Sequence, residues 1–327
     1  MTAARRLGID IGGTKTAVAL VADDGTVKVL RSAPSGRGPA RVVEVAAALA
    51  HEVLGSVGVD GAASVGACMP GLVDPVTGWA RHAVNLGVDS VDLAGELSTR
   101  LGARVAVEND VKAAAHGAWR LRPPGRAAGQ ALAYLNLGTG LASAVVRDGA
   151  VVRGIDGAAG EIGHLPVGGD VSCTCGQVGC LETVASGSAL ARLWPEGLRR
   201  GRDPFVAAAA GDPLAAAAVD VLCAGVGLAV QVLALASGAE RVVVGGGLAG
   251  LGVALLDGVR ADLARRARSS RIIQALDLAD RVELLPADVP VAALGAAWLG
   301  AAGWSHEAAA PSVGGARAPV PSGERVG

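Results

Sequence analysis

The chain has 327 residues, which is enough for one large domain or two ordinary domains with a buried hydrophobic core. Hydrophobic residues make up 51% of it and aromatic residues only 2%, so we predict a globular protein with a core of Ala, Val and Leu rather than a disordered chain. The net charge is -1 and we see no basic stretch, which argues against a nucleic-acid partner. Apolar runs are interrupted before membrane-spanning length, which argues against a membrane partner. Since we also see no signal-peptide pattern, we predict a cytosolic protein.

Predicted strands and helices alternate along the first part of the chain. Apolar runs bounded by turn residues indicate strands over residues 7–11, 16–21, 26–30, 63–68 and 104–107, and helical periodicity indicates helices over residues 40–57 and 111–121. Two further strands, 130–137 and 142–147, flank a Gly-Thr-Gly turn. The openings at residues 7 and 130 share this strand-turn-strand pattern, which predicts two related α/β halves around a cleft.

The rest of the chain is less regular. Residues 154–180 are rich in Gly and Cys, and we expect a long functional loop there. The pattern then predicts helices over residues 181–193, 214–237 and 291–299 and a strand over residues 241–244. Residues 305–327 are rich in Pro, Gly and Ser and are expected to be disordered.

The first candidate site is the turn after the first strand. Gly12 and Gly13 allow a sharp turn that points backbone N–H groups at an anion, while Thr14 adds a hydroxyl and Lys15 a positive charge. Asp10, at the strand end, is suited to hold Mg²⁺ through water, because hard cations prefer carboxylate oxygens. A hairpin turn without a ligand is the alternative, and the added Asp, Thr and Lys favour a phosphate site.

Two further glycine turns close apolar strands. One contains Gly138 and Thr139, and the other contains Gly246 and Gly247 but carries no charge. Three such turns suit a protein that wraps a nucleotide between two domains. The third would approach a flat base or ribose, although an ordinary strand-to-helix turn stays open for it.

Asn109 and Asp110 lie where a buried strand ends and a helix begins. Either residue is a natural N-cap there. Asp110 is also placed as a general base, because phosphoryl transfer to an alcohol needs a carboxylate that accepts the hydroxyl proton. From the residues alone, the cap and the base are about equally well supported.

The long loop carries a predicted metal site. It supplies one imidazole and three thiols, the ligand set of a closed structural Zn²⁺ site, from His164, Cys173, Cys175 and Cys180. Buried free thiols beside an unrelated histidine are the alternative, but the loop has few apolar residues that could hold it together. Glu161 and Glu182 flank the loop and could accept hydrogen bonds from neighbouring sugar hydroxyls, with solvated surface charge as the alternative.

The ordered motifs resemble those of the ROK family (repressors, open reading frames and kinases), most closely its bacterial glucokinase-like members, over residues 7 to about 300. The matching segments are Asp10-Ile11-Gly12-Gly13-Thr14-Lys15, Pro70-Gly71-Leu72-Val73-Asp74, Asn85-Leu86-Gly87, Glu108-Asn109-Asp110, Leu137-Gly138-Thr139-Gly140, Glu161-Ile162-Gly163-His164, the cysteine loop and Gly245-Gly246-Gly247. Their order and spacing together are far more specific than any one of them.

The resemblance implies the actin-like ATPase (ribonuclease H-like) fold, with two α/β domains around a cleft that closes on the sugar. We predict a small domain of residues 1–115 joined by a C-terminal helix at 290–302. The large domain would span residues 116–289, with the zinc loop at 161–182 and a helical oligomerisation region.

The same resemblance assigns roles to individual residues. The catalytic carboxylate falls on Asp110, and His164 would bind zinc through one ring nitrogen and sugar through the other. The sugar contacts expected are Gly71, Asn85, Asn109, Asp110, Glu161, His164 and Glu182. The ATP and Mg²⁺ contacts expected are Asp10, Gly12, Gly13, Thr14, Lys15, Gly138, Thr139, Gly246 and Gly247.

The expected reaction is ATP-dependent phosphorylation of a hexose, with glucose at its 6-hydroxyl as the first choice, by a homodimer or homotetramer. Kinases for N-acetylmannosamine, N-acetylglucosamine, allose or fructose are alternatives. A sugar-responsive transcriptional regulator without its DNA-binding domain is the alternative from another class, and a gel-shift assay would reveal it. One departure stands out: Ala142, Ser143 and Ala144 replace glycines that commonly continue the second turn, which leaves a weaker ATP affinity or another phosphoryl donor open.

Overall fold

The computed structural model describes residues 5–57, 62–122 and 129–300. Its strands are β1 (Arg5–Ile11), β2 (Lys15–Ala22), β3 (Val27–Pro34), β4 (Ser64–Met69), β5 (Leu72–Val73), β6 (Trp79–Ala83), β7 (Val88–Asp92), β8 (Val105–Asn109), β9 (Ala131–Leu137), β10 (Leu141–Arg147), β11 (Ala150–Val152), β12 (Arg241–Gly245) and β13 (Val282–Leu284). The predicted tail at 305–327 and the end of the predicted helix 290–302 lie outside the described residues.

The helices are α1 (Pro39–Gly55), α2 (Leu93–Leu101), α3 (Asp110–Arg120), α4 (Gly187–Leu193), α5 (Pro195–Arg199), α6 (Pro204–Ala209), α7 (Pro213–Ser237), α8 (Val253–Ser269), α9 (Arg271–Ala275), α10 (Leu278–Arg281) and α11 (Val291–Ala297). Short 3-10 helices lie at Val84–Leu86, Ile162–His164, Leu181–Thr183 and Gly247–Leu251.

Two five-stranded sheets share one topology. Their strand orders are β3-β2-β1-β4-β8 and β11-β10-β9-β12-β13. In each sheet, the three strands that come first in sequence pair antiparallel to one another. The two strands that come last in sequence run parallel to the central strand, which is β1 in the first sheet and β9 in the second. The repeat supports the expectation of two related α/β halves, whereas the domain boundaries given above stay a prediction. β5, β6 and β7 form a small antiparallel sheet beside the first half.

The alternation of side chains along β1 decides what covers each face of the first sheet. Leu7 and Ile9 are fully buried in a cluster with α1 and α2. Gly8 points to the other face, where an added Cβ would collide with the carbonyl oxygen of Ala293 in α11. Gly66 on β4 meets α11 at the carbonyl oxygen of Ala296 in the same way. The helix therefore lies backbone-against-backbone on the strands, a separation that only glycine permits.

The second sheet has its own two covers. α7 and α8 pack on one face, in a cluster that includes Leu135 and Leu222. On the other face, Trp119 of α3 is buried with Leu132 and Tyr134. Since α3 also packs on α11, these two helices form a shared layer between the sheets. The carboxyl ends of β1, β4, β8, β9 and β12 thus face one cleft.

Two sequence predictions are wrong. Residues 181–193 do not form one helix, because Ser186 caps a new one: its hydroxyl oxygen accepts the N–H of Ala189 at 3.0 Å, and α4 starts only at Gly187. The apolar pattern also reaches membrane-spanning length in one described helix, α7. More than half of its most apolar window, 56%, is buried inside the protein, as in the central helix of a packed core.

Candidate active site

A cavity of about 420 Å³ opens where the strand ends of the two sheets meet. Two carboxylates, Asp10 and Asp110, line it together with the hydroxyl-bearing ring of Tyr134. Asn136 and the glycines of the first and third turns complete the wall. The structure therefore brings together, in one cavity, five of the residues predicted from sequence: Asp10, Gly12, Asp110, Gly246 and Gly247.

Asn109, and not Asp110, caps α3. The Oδ1 atom of Asn109 accepts the N–H groups of Val111 at 3.0 Å and Lys112 at 3.1 Å. Its Nδ2 atom donates to the carbonyl oxygen of Gly71 at 3.1 Å, so Gly71 fixes this side chain through its backbone. The cap position is filled, and Asp110 follows as the first helical residue with its side chain at the cavity. The alternative reading of Asp110 as the cap is wrong.

The pKa values of both carboxyl groups in the cavity are raised. Burial raises the pKa of Asp10 to about 7, and the nearby charge of Asp110 adds to the effect. Burial also raises the pKa of Asp110, with a further contribution from Glu161. Two half-buried acids whose pKa values are raised despite the nearby charges of Lys15 and Lys112 form a setting that a divalent cation neutralises. The donor set therefore fits the predicted Mg²⁺, with Asp10 and the first turn as the residues that would hold it.

Asp10→Asn is expected to stabilise the ligand-free protein in a pH-dependent way. Because folding raises the pKa of Asp10 from 3.8 to about 7, its ionisation costs stability as the pH rises from about 4 to 7, and the cost is complete above pH 7. The variant should gain up to about 4 kcal/mol in unfolding free energy at pH 8 and much less at pH 4.5. Urea unfolding at both pH values measures this, with the exposed Asp89→Asn as control. An equal gain at both pH values would contradict the stated cause.

The first turn is a tight β1–β2 hairpin turn, and a buried serine forms a hydrogen bond to its backbone. The N–H of Gly12 donates to the carbonyl oxygen of Lys15 at 3.1 Å, and the hydroxyl of Ser35 donates to the carbonyl oxygen of Gly12 at 2.6 Å. Gly13, Thr14 and Lys15 remain exposed toward solvent. Ser35 was not predicted from sequence, because nothing in its spacing links it to the turn.

Asn85 lies against this first turn. An added Cβ on Gly13 would lie 3.2 Å from the Cβ of Asn85. The predicted sugar contact at Asn85 and the predicted phosphate contact at Gly13 are therefore neighbours.

The third turn lines the cavity and lies beside the second turn, whose Gly138 and Thr139 are not among the residues that line it. The carbonyl oxygens of Gly138 and Thr139 accept N–H groups from the first turn of α4, at 2.9 and 3.0 Å. Gly246 has a φ of +84°, which favours glycine, and an added Cβ there would approach the carbonyl oxygen of Leu137 to 2.6 Å. Gly247 has open space at its Cβ position. Gly246 and Gly247 let the backbone approach the cavity closely, as a nucleotide site requires.

The four predicted metal ligands come together. The imidazole of His164 and the thiols of Cys173, Cys175 and Cys180 place one ligand atom each within 4.8 Å of all the others. Backbone bonds fold the loop around them, including the N–H of Cys173 to the carbonyl oxygen of Gln177 at 2.8 Å. Three thiols and one imidazole this close fit a closed, tetrahedral Zn²⁺ site.

The three predicted sugar contacts of the loop differ in their surroundings. Glu161 is exposed, and its charge acts on the pKa of Asp110. His164 is half-buried, with Nδ1 3.7 Å from the thiol sulfur of Cys173. Glu182 accepts the N–H of Leu141 at 2.8 Å, so one carboxylate oxygen is engaged by the strand that follows the second turn.

Known proteins similar to this chain show which family carries this combination of turns, carboxylates and cysteine loop. The ROK family model matches residues 6–302. The chain belongs to the ROK family. A glucokinase of Halalkalibacterium halodurans is 31% identical to it over 278 residues, covering 78% of this chain and 83% of that protein. An N-acetylmannosamine kinase of Escherichia coli is 31% identical over 188 residues, covering 56% and 62%.

A solved ROK structure matches most of the chain. The ROK glucokinase from Streptomyces griseus, in complex with glucose and AMPPNP, superposes with a TM-score of 0.72 at 28% identity, covering 90% of this chain and 99% of that one. The predicted actin-like ATPase fold, with two α/β domains around a cleft, is confirmed.

The zinc interpretation of this ROK protein makes a direct prediction. Purified protein should contain about one zinc per chain, and Cys175→Ser should lose most of it and lower the Tm, because ligand binding and loop folding are linked. Elemental analysis and a thermal melt measure both effects. Cys223→Ser, a buried thiol on α7 outside the cluster, should keep the zinc. A folded, active protein without zinc would rule the site out.

Sequence reasoning missed several residues of the ROK site. Tyr134 and Asn136 line the cavity from β9. In the antiparallel register, Asn136 is one residue before the end of β9, the place that Asp10 has in β1. Aligning the two related openings would have found it. Glu108, quoted within a motif but given no role, is buried and bonded to Arg153.

Proposed function

We propose that the protein phosphorylates a hexose with ATP, with glucose at the 6-hydroxyl as the preferred substrate. The observation that carries this proposal is the placement of Asp110, a half-buried carboxylate at the start of α3, in one cavity with Asp10 and two glycine turns. Kinship with glucokinases supports the choice of glucose.

Asp110 is the proposed general base. As the sugar oxygen attacks the γ-phosphorus of ATP, its O–H proton passes to the Asp110 carboxylate. A new O–P bond forms while the bond between the γ-phosphorus and the β–γ bridging oxygen breaks. The products are the sugar phosphate and ADP, which takes the electron pair of the broken bond. Asp110 acts on the acceptor alone, and the glycine turns hold the phosphates.

The nucleotide lies along the three turns in this proposal. Gly12, Gly13, Thr14 and Lys15 contact the phosphates from one sheet, and Gly138 and Thr139 contact them from the other. Gly246 and Gly247 approach the nucleoside. Bound Mg²⁺ would neutralise phosphate charge, and the Asp10 carboxylate would hold it. The AMPPNP in the Streptomyces griseus relative supports ATP as the donor.

The sugar lies deeper, against Asp110. We assign its hydroxyl contacts to Gly71, Asn85, Asn109, Glu161, His164 and Glu182. Asn109 and Glu182 already make hydrogen bonds to backbone groups. Their side chains are therefore oriented before the sugar binds, which lowers the conformational entropy lost on binding. The zinc loop would fix His164 and Glu182 relative to each other.

The kinship with an N-acetylmannosamine kinase supports a second candidate substrate. A coupled assay of ADP release over glucose, mannose, fructose, allose, N-acetylglucosamine and N-acetylmannosamine tests both candidates. We expect the highest kcat/KM with glucose. Higher kcat/KM with N-acetylmannosamine would reassign the substrate, and no turnover with any sugar would refute the kinase proposal.

The proposal also covers the location, oligomeric state and partners of the protein. We place it in the cytosol, as a homodimer or homotetramer, with ATP and the sugar as its partners and without nucleic-acid or membrane partners. Exposed apolar side chains on the helical region support an oligomer contact there, among them Val206, Leu214 and Leu235. Light scattering of the purified protein tests the oligomeric state.

A further inference from the structure

Strand β10 begins directly after the second phosphate turn. It also forms hydrogen bonds to the loop backbone immediately before Glu161. The carbonyl oxygen of Gly160 accepts two hydrogen bonds from Ser143, from its N–H at 3.0 Å and from its hydroxyl at 2.7 Å. The N–H of Leu141 on the same strand donates to Glu182. One short strand segment therefore bonds both to Glu182 and to the residue immediately before Glu161.

The contact at Ser143 is close and buried. The residue is only 2% exposed. Gly160 has a φ of +100°, and an added Cβ on it would collide with the carbonyl oxygen of Ser143. The loop backbone is thus seated directly on the strand, and the hydroxyl fixes the residue immediately before Glu161. Ser143 stands at one of the three positions where this chain departs from the resembling glycine pattern.

We propose that Ser143 is a positioning residue that couples the nucleotide turn to the sugar loop. The proposal rests on the kinase function proposed above. Ser143 lies three residues after Gly140, with Leu141 and its bond to Glu182 between them. A nucleotide that orders the turn also orders the start of β10. Through the Ser143 hydroxyl it orders Gly160 and the Glu161 carboxylate, so that ATP and sugar bind cooperatively.

Ser143→Ala removes the hydroxyl bond and leaves the backbone bond to Gly160 in place. The KM for sugar should rise about fivefold, the effect of one typical hydrogen bond, while the KM for ATP changes less than about twofold. AMPPNP should tighten sugar binding in the wild type, measured by calorimetry, and this gain should shrink by a similar factor in the variant. Ser143→Thr keeps the hydroxyl and should restore the wild-type ratio of the two KM values.

Ser64→Ala is the matched control. Ser64 is also a buried strand serine whose hydroxyl donates to a carbonyl oxygen, that of Ala297 at 2.9 Å, but it lies outside the site. It should leave both KM values unchanged. Equal changes in Ser143→Ala and Ser64→Ala, or an unchanged sugar KM in active Ser143→Ala, would overturn the positioning role.

Hydrogen exchange separates this proposal from the function on which it rests. In the ligand-free protein, Ser143→Ala should speed amide exchange at His164 and Leu165, whose N–H groups bond within the loop, relative to wild type and Ser64→Ala. Faster exchange with a wild type that phosphorylates no sugar would refute the kinase function while keeping the tether. Unchanged exchange would refute the tether even in an active kinase.

Discussion

Asp110→Asn is expected to lower kcat for the sugar by about two to four powers of ten, the usual cost of a lost general base. Asparagine has nearly the same shape and cannot accept the proton. Asn109 still caps α3, so the helix start should persist. The KM for sugar should change little, because the other sugar contacts remain. Steady-state kinetics with the sugar and MgATP measure both constants.

The pH profile identifies the base independently. Burial raises the pKa of Asp110 above its ordinary value, and the base works only when deprotonated. The wild-type kcat should therefore fall as the pH drops through this raised pKa, and that acid limb should vanish from the residual activity of Asp110→Asn. Asp92→Asn changes the cap of α2 and should leave kcat unchanged. An Asp110→Asn enzyme with full kcat would disprove the mechanism.

Arg153→Met is expected to lower the free energy of unfolding by about 3–5 kcal/mol, because it leaves a buried charge without its partner. The Glu108 side chain is only 1% exposed, and its Oε2 atom accepts from Nε and Nη2 of Arg153 at 2.8 and 2.6 Å. This pair joins the end of β8 to the segment after β11, across the two halves. Urea unfolding measures the loss.

The double variant Glu108→Gln with Arg153→Met removes both charges and should recover much of the lost stability. Arg100→Met provides the matched control, because Arg100 pairs with Glu96 on the exposed surface of α2. That pair should contribute no more than about 1 kcal/mol. If Arg153→Met lowered the free energy of unfolding no more than Arg100→Met does, the buried pair would stabilise the protein no more than an exposed pair, and the prediction would be wrong.

The sequence was most informative where local pattern determines structure. Eight of the ten strands in the two large sheets and helices α1, α3 and α7 follow from apolar runs and periodicity, whereas the three-residue edge strands β11 and β13 were not predicted. The predicted helix 40–57 differs from Pro39–Gly55 by two residues or fewer at each end. The prediction of one helix over residues 181–193 was wrong, since the break at Ser186 depends on bonds between α4 and the second turn. The small sheet of β5 to β7 was missed, because its short strands carry exposed side chains.

The candidate site shows the same division. Clustering of His164 with three cysteines followed from ligand chemistry and close spacing. The choice between Asn109 and Asp110 as the cap did not, because both side chains suit the position. Asn109 takes it with its bonds to Val111 and Lys112, and a bond to Gly71, distant in sequence, fixes its side chain. Arg153, Ser35 and Ser143 act through contacts with residues distant in sequence, which no local pattern encodes.

The position of α11 has a consequence for synthesis on the ribosome. This helix covers the inner face of the first sheet, where Ala19 and Val21 are buried with Ala293 and Ala297. The strands emerge from the ribosome well before the residues of α11 that cover them. The apolar face of the nascent first sheet therefore stays uncovered until residues 291–297 have been translated. A chain that terminates before residue 291 should aggregate or recruit chaperones.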